Sequence, residues 1–314
     1  MTVFQWGILG TGNIASSMAE ALALVPDAMC AAVASRTLNK ARAFADRWGI
    51  SRAHGSYDAL LADPNIDIVY VATPNACHKD NILAALVAGK HVLCEKPMTL
   101  SAADSAACFD AAEKRGLFLM EALWTAFFPA MQKAIELVQS CAIGTPRHLS
   151  ANFISYRDPK THPTLFDPHL GGGARNDLGI YPVAAALLLA GPIANATTTS
   201  VLGPTGVDEM TAMVLEHENG CIAQLACGFR VDMPIAVRVT GDLGHVDIAE
   251  NFHRPRHVCI ASEGHSGRYD LPPLGVGYAH EVMAMQELVT GHIQAGPLWD
   301  KAKSMACARV LEER

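Results

Sequence analysis

No run of about 18 apolar residues occurs in the chain, and its start, Met1-Thr2-Val3-Phe4-Gln5-Trp6, lacks the charged-then-apolar pattern of an export signal. The expectation is a cytoplasmic protein. Basic runs are also missing: 24 Lys and Arg stand against 31 Asp and Glu, for a net charge of -7. That leaves no footprint for nucleic acid or a membrane surface and points to a small-molecule partner. Nine cysteines are present, an odd number, widely spread and without a C-x-x-C pair. They read as buried thiols in a reducing compartment, not as disulfides or a zinc site. With 50% hydrophobic and 18% charged residues over 314 positions, the chain is globular and long enough for two domains.

The apolar stretch Val3 to Leu9 runs into Gly10-Thr11-Gly12-Asn13-Ile14-Ala15, after which Met18, Leu22 and Val25 recur at helical spacing. Strand, glycine turn and helix in this order, with the pattern G-x-G-x-x-A, let a backbone approach a pyrophosphate at a helix N-terminus. A second apolar strand, Met29 to Ala34, ends in Ser35-Arg36. An acid there would bond the ribose 2'-hydroxyl of NAD. A hydroxyl and a guanidinium suit a 2'-phosphate instead, which puts NADP ahead of NAD.

Further strands are expected at Ile66 to Ala72, His91 to Pro97 and Leu117 to Met120. The intervening helices include one ending near Gly89 and one capped by Ser101, with Asp104 in capping-box position. The alternation predicts a doubly wound parallel sheet over residues 1–122. Residues 123–314 then form an α+β domain. Its strands, at 147–156, 196–202, 208–218, 221–229, 235–240 and 245–249, predict a mostly antiparallel open sheet whose second face suits another subunit, giving a homo-oligomer. Two helical segments, Tyr278 to Thr290 and Pro297 to Arg314, close the chain, and one of them is a candidate to return to the first domain.

Lys96 stands at a strand's carboxyl end, where open parallel sheets bind ligands. His78, near a helix start, reads as a helix-surface residue or as a cofactor contact. Beyond the polar loop Arg157 to His169 comes Gly171-Gly172-Gly173, which gives the following helix freedom to approach a ligand. Asp177 and Tyr181, four apart, share a face of that helix. A tyrosine beside a lysine can act as acid or base, because the ammonium lowers the phenol pKa. Tyr181 is equally readable as a packed ring, and Asp177 as a complement to the helix dipole.

The chain resembles the Gfo/Idh/MocA family of NAD(P)-dependent oxidoreductases in G-T-G-N-I-A at 10–15, A-S-R at 34–36, A-T-P-N-x-x-H at 72–78, E-K-P at 95–97 and G-G-G-x-x-x-D-x-G-x-Y at 171–181. Glu121-Ala122-Leu123-Trp124-Thr125 and Phe127-Phe128-Pro129 are similar to the branch of dihydrodiol dehydrogenases and NADP-dependent D-xylose dehydrogenases. The resemblance implies a cofactor contacted by Gly10, Thr11, Gly12, Asn13, Ile14, Ser35, Arg36, Thr73, Pro74, Asn75, His78, Glu95 and Lys96, and a cis peptide at Lys96-Pro97.

It also implies catalysis by Lys96 and Tyr181, with Asp177 supporting them. Trp124, Phe153 and Arg157 are expected on the substrate side with Asp177 and Tyr181. Two departures from the branch are Ala126 and Arg175-Asn176; Arg175 reads either as a relocated substrate-facing cation or as a solvated loop residue. The expected reaction moves a hydride between the nicotinamide and a hydroxyl-bearing carbon of a sugar, polyol or dihydrodiol. An NAD-using glycoside hydrolase and a non-catalytic NADP-binding sensor are the competing readings.

Overall fold

The computed structural model describes residues 3–291 and 298–313. The chain divides into two compact units. One comprises Met1–Leu123 with Leu274–Lys301, the other Trp124–Pro273 with Ala302–Arg314. The first unit thus takes back a segment from the carboxyl-terminal region.

In the first unit, β1 (Phe4–Leu9), α1 (Asn13–Leu24), β2 (Ala28–Ala34), α2 (Leu38–Trp48), β3 (Arg52–His54), α3 (Tyr57–Leu61), β4 (Ile68–Val71), α4 (His78–Val87), β5 (His91–Glu95), α5 (Ala102–Glu113) and β6 (Leu119–Ala122) alternate. The six strands are parallel in the order β3-β2-β1-β4-β5-β6. The order reverses at β1, which puts a topological switch point beside the glycine turn. Helices on both faces explain why β4 is buried along its whole length and β5 at all but its first residue.

The sequence reading found five of these strands. It missed β3, whose three half-buried residues carry no apolar run, and α3, only five residues long. Helix ends follow the expected chemistry. Ser101 Oγ accepts the Asp104 N–H at 3.0 Å, but the Asp104 carboxylate leaves the box for Lys79, at 2.6 Å. Gly89 has φ 77, the left-handed conformation expected just past a helix end.

The second unit contains α6 (Pro129–Gln139), β7 (Pro146–Ile154), α7 (Ile180–Ala190), β8 (Ile193–Leu202), β9 (Asp208–His217), β10 (Ile222–Gly228), β11 (Ala236–Gly241), β12 (Gly244–Ile248), β13 (His257–Ser262) and β14 (His265–Asp270). Its eight-stranded sheet runs β14-β13-β12-β11-β7-β10-β9-β8. All pairs are antiparallel except β7 with β10. The sheet is two strands longer than expected. β14 alternates between exposed and half-buried residues with no apolar face to announce it.

Along β9, buried and exposed side chains alternate, so one face is packed and the other is solvated. α7 is buried throughout and, with α6, packs on the inner face. α8 (Tyr278–Thr290) belongs to the first unit, where it packs on α1, and α9 (Lys301–Glu312) follows. Pro297 and Arg314, the expected ends of the last helix, lie outside the described residues. Among the described residues, no helix is long and apolar enough to cross a membrane.

Lys90 illustrates how the first unit closes its turns. It is buried, and its ammonium donates to the carbonyls of Asp63 and Ile66, both at 2.8 Å. Removing the ammonium takes a donor from both carbonyls, that of Ile66 being buried and that of Asp63 keeping only the Ile66 N–H at 3.4 Å. Lys90→Met is expected to lower stability by about 2 kcal/mol, while exposed Lys114→Met stays within about 0.5 kcal/mol, both read from denaturant midpoints.

Candidate active site

At the carboxyl ends of the first sheet, the backbone and not a side chain supplies the first feature. Gly10 has φ 118, and a Cβ there would lie 2.6 Å from the Ala72 carbonyl oxygen, so no other residue fits between β1 and β4. Gly12 precedes α1 with open space around it and makes no side-chain cap bond. Gly12, Asn13 and Ile14 are exposed and Thr11 half-buried, although Ala15, Met18 and Leu22 just beyond are core. An exposed Ile14 beside uncapped helix N–H groups forms a cradle for a ligand with phosphates and an apolar edge. The geometry fits a dinucleotide.

Ser35 is buried at the end of β2, its N–H bonded to the His54 carbonyl. Arg36 is exposed beside it and lines a cavity of about 280 Å³ together with Ser56, Tyr57 and Asn81. Burial raises the Tyr57 pKa, and the Arg36 charge partly opposes that rise, so the two side chains are close. Tyr57 lies on α3, whose five residues carry no helical period that the sequence would show.

Lys96 emerges from a turn fixed on every side. Tyr70 Oη donates to Glu95 Oε1, and Glu95 Oε2 accepts the Lys96 N–H at 3.2 Å. The Lys96–Pro97 peptide is cis, as expected. The Pro97 carbonyl bonds His78 Nδ1 at 2.9 Å, and the Met98 N–H donates to Glu121 Oε1 at 2.8 Å. Glu121 Oε2 accepts from the Trp299 indole at 2.9 Å.

His78 differs from both readings of it. It has no exposed surface, and its ring bridges Pro97 to the Thr73 carbonyl, at 2.8 Å. Burial lowers its pKa while both carbonyls favour the charged ring, and a neutral ring, with one N–H, donates to only one of them. It ties the Thr73-Pro74-Asn75 turn to the lysine turn. Thr73 Oγ1 is held in addition by Asn81, at 3.0 Å. Glu95 likewise is a buried support, not a surface for ligand.

In the second unit, the expected substrate-side aromatics do gather. Tyr181 stands 5.4 Å from Phe153 and 5.6 Å from His253, ring centre to ring centre. Phe153 and His253 are 4.4 Å apart, and Trp124 lies 6.3 Å from His253. His253 is the hub, and nothing in the sequence signals it, since Phe252-His253-Arg254-Pro255 is a loop without periodicity. Thr125 Oγ1 holds that loop by donating to the His253 carbonyl at 2.6 Å. Arg157 is half-buried and bonds Ser155 Oγ at 2.8 Å and the Tyr156 carbonyl at 3.1 Å.

The segment before Tyr181 departs from expectation. Arg175–Gly179, which includes Asp177, is a π-helical turn that feeds α7. Gly173 is required by packing, not by a ligand: at φ 117, a Cβ would meet the Asp208 carboxylate at 2.4 Å. Arg175 is half-buried and bonded within the protein, so it is not a solvated loop residue. Its N–H donates to Asp208 Oδ2 at 2.8 Å and its guanidinium to the Glu313 carbonyl. Among the described residues, no cluster of three or more His, Cys, Asp or Glu is placed to hold a metal ion.

Two family models match the chain. One, described as an oxidoreductase family with an NAD-binding Rossmann fold, covers residues 4–123, and the other, a GFO/IDH/MocA C-terminal domain, covers residues 131–247. A trans-1,2-dihydrobenzene-1,2-diol dehydrogenase of Mus musculus is 33% identical, over 98% of this chain and 95% of its own length. A D-xylose 1-dehydrogenase (NADP(+)) of Haloferax volcanii is 36% identical, with the same coverage. Among solved structures, an aldose-aldose oxidoreductase from Caulobacter crescentus complexed with glycerol superposes with a TM-score of 0.87 at 27% identity, covering 98% of this chain and 95% of that one. A 3-ketoreductase from Actinomadura kijaniata in complex with NADP and TDP-benzene gives 0.85 at 29%, covering 98% and 96%. With a glycine cradle and a buttressed Glu-Lys-Pro turn in one unit and the matching sheet domain in the other, the chain belongs to the Gfo/Idh/MocA family of NAD(P)-binding oxidoreductases.

Proposed function

We propose that the protein is an NADP-dependent oxidoreductase acting on a hydroxyl-bearing carbon of a sugar, polyol or dihydrodiol, with Tyr181 and Lys96 as its acid/base pair. When bound, the nicotinamide supplies the hydride acceptor or donor. Gly10 to Ile14 hold the pyrophosphate, and Arg36 with Ser35 meets the 2'-phosphate, Tyr57 forming part of the same cavity. Trp124, Phe153 and His253 offer faces to a substrate ring, with Arg157 and Asp177 contributing polar contacts. In oxidation the Tyr181 phenolate oxygen takes the substrate hydroxyl proton, and in reduction the Tyr181 hydroxyl donates it back. The Lys96 ammonium makes that easier by stabilising the phenolate.

The observation that carries the reading is the fixation of the Glu95 to Met98 turn by four separate side chains, Tyr70, Glu95, His78 and Glu121. A surface lysine needs no such support, whereas a lysine aimed at a reacting atom does. The relatives that act on xylose and on dihydrodiols support the substrate class, and the NADP named for the xylose enzyme supports the cofactor. The solvated face of the second sheet exposes Val214 and Ile222 beside Gln224 and Glu216 and is proposed to carry a second copy of the chain.

A spectrophotometric screen over aldoses, inositols and dihydrodiols, with NADP and NAD in parallel, is expected to give turnover with at least one class and with NADP preferred. Tight retention of NAD with no net change in nicotinamide absorbance would instead identify a glycoside hydrolase. Tyr181→Phe is expected to lower kcat by about 100-fold or more, with cofactor affinity changed by less than about threefold; normal turnover in that variant sinks the assignment. Val214→Asp is expected to shift the sedimentation coefficient to that of a single chain, and a single-chain wild type rules the dimer face out.

A further inference from the structure

The first unit buries a carboxyl group that no part of the proposed mechanism uses. Glu281, in the first turn of α8, is fully buried, and among the described residues neither of its carboxyl oxygens has a hydrogen-bond partner. Its charge would interact with those of Glu95 and Tyr70. The titratable groups around it are Tyr70 on β4, Glu95 at the end of β5, with Lys96 and Glu121 acting on Glu95 in turn, and Tyr278 on its own helix.

Two buried carboxyl groups whose charges interact do not both ionise, because each charge raises the cost of the other. The geometry decides which keeps the proton. Glu95 accepts on both oxygens, from the Tyr70 hydroxyl and from the Lys96 N–H, and both bonds stabilise a carboxylate. Glu281 receives neither kind of support.

We propose that Glu281 is a positioning residue for Lys96: it stays a neutral acid, so that the pair carries a single negative charge and that charge resides on Glu95, next to the lysine. Burial pushes both carboxyl pKa values up, that of Glu281 much further, because the Tyr70 hydrogen bond and the Lys96 charge pull Glu95 back down. Tyr70 itself stays protonated, since burial and then the Glu95 charge raise its pKa. If Glu281 also ionised, a second negative charge would offset the pull of the Lys96 ammonium on a neighbouring phenol. The proton on Glu281 therefore sets the upper pH limit of a working lysine. The functional half of this inference rests on Lys96 taking part in catalysis, as proposed above.

The sign of the stability effect follows from linkage. A buried acid whose folded-state pKa is raised binds a proton in the native state that the unfolded chain has released. Wild-type stability is then lost as pH rises from the ordinary carboxyl range to the folded-state pKa, by about tenfold in the folding constant per pH unit. Glu281→Gln, a neutral group of the same shape, removes that loss.

The test uses the cofactor-loaded full-length protein. The thermal midpoint of Glu281→Gln relative to wild type is expected to rise steadily between about pH 6 and pH 9; a pH-independent difference means that Glu281 is ionised and overturns the proposal. Should the variant not fold, infrared spectra of the wild type at alkaline pH are expected to show the carbonyl band of a protonated carboxylic acid, and its absence overturns the proposal equally. For function, the alkaline break in kcat/KM is expected to move up by at least about one pH unit in Glu281→Gln, with kcat at neutral pH within about threefold. An unchanged profile reduces Glu281 to a structural residue and removes its role towards Lys96. A Lys96→Met enzyme with full turnover would sink the catalytic reading of Lys96 but leave the midpoint and infrared signatures in place, so the two failures are distinguishable.

Discussion

Glu121 lies inside the first unit and accepts from two groups far apart in sequence, the Met98 N–H and the Trp299 indole N–H. A carboxylate in that position costs several kcal/mol unless its lone pairs are met, and removing either donor leaves a charge stranded. The bond to Met98 fixes the chain just past the Lys96–Pro97 peptide, and the bond to Trp299 recruits the returning carboxyl-terminal segment to the same spot. His78 and the Tyr70–Glu95 bond then fix the residues just before it and at its centre. The lysine turn is thus held by polar groups that each depend on a partner from another element, and the sheet ends cannot relax separately.

The second unit solves a similar problem with rings. Tyr181 is oriented by Phe153 and His253, and the loop that carries His253 is held through its carbonyl by Thr125. Asp208 plays there the part that Glu121 plays in the first unit. It accepts from the Arg175 N–H and from Thr211 Oγ1, and so locks the start of the π-helical turn that leads to Tyr181.

The elements readable in the sequence were those with a strong apolar period: β1, β2, β4 and β5 as continuous runs, and β9 as an alternation. What escaped was short or half-buried, such as β3 and α3, or carried on a polar edge, such as β14, where packing and not propensity decides the structure. The site followed the same division. Gly10, Lys96 and Tyr181 stand in motifs with fixed spacing and could be named. His253, Tyr57, Glu121 and Glu281 could not. Glu281 sits in Tyr278-Ala279-His280-Glu281, which reads as a solvated helix start, because an acid that is buried in the fold looks no different in sequence from one in water. Gly173 and Arg175 were legible as unusual but not as to cause, since their reason is Asp208, more than thirty positions away.

The single parallel pairing in the second sheet, β7 beside β10, bears on how this unit assembles. Parallel neighbours cannot be joined by a tight turn, and the connection here runs through the π-helical turn, α7, β8 and β9 before β10 arrives. The middle of the sheet therefore closes only after the helix bearing Tyr181 has been laid across it. A nascent chain that stops short of Gly228 lacks β11 and the end of β10, so both edges of β7 stay open and the apolar α7 lacks part of its cover. Completion of the sheet and placement of the tyrosine are one late, long-range event, of the kind that slows folding and exposes sticky edges in the meantime.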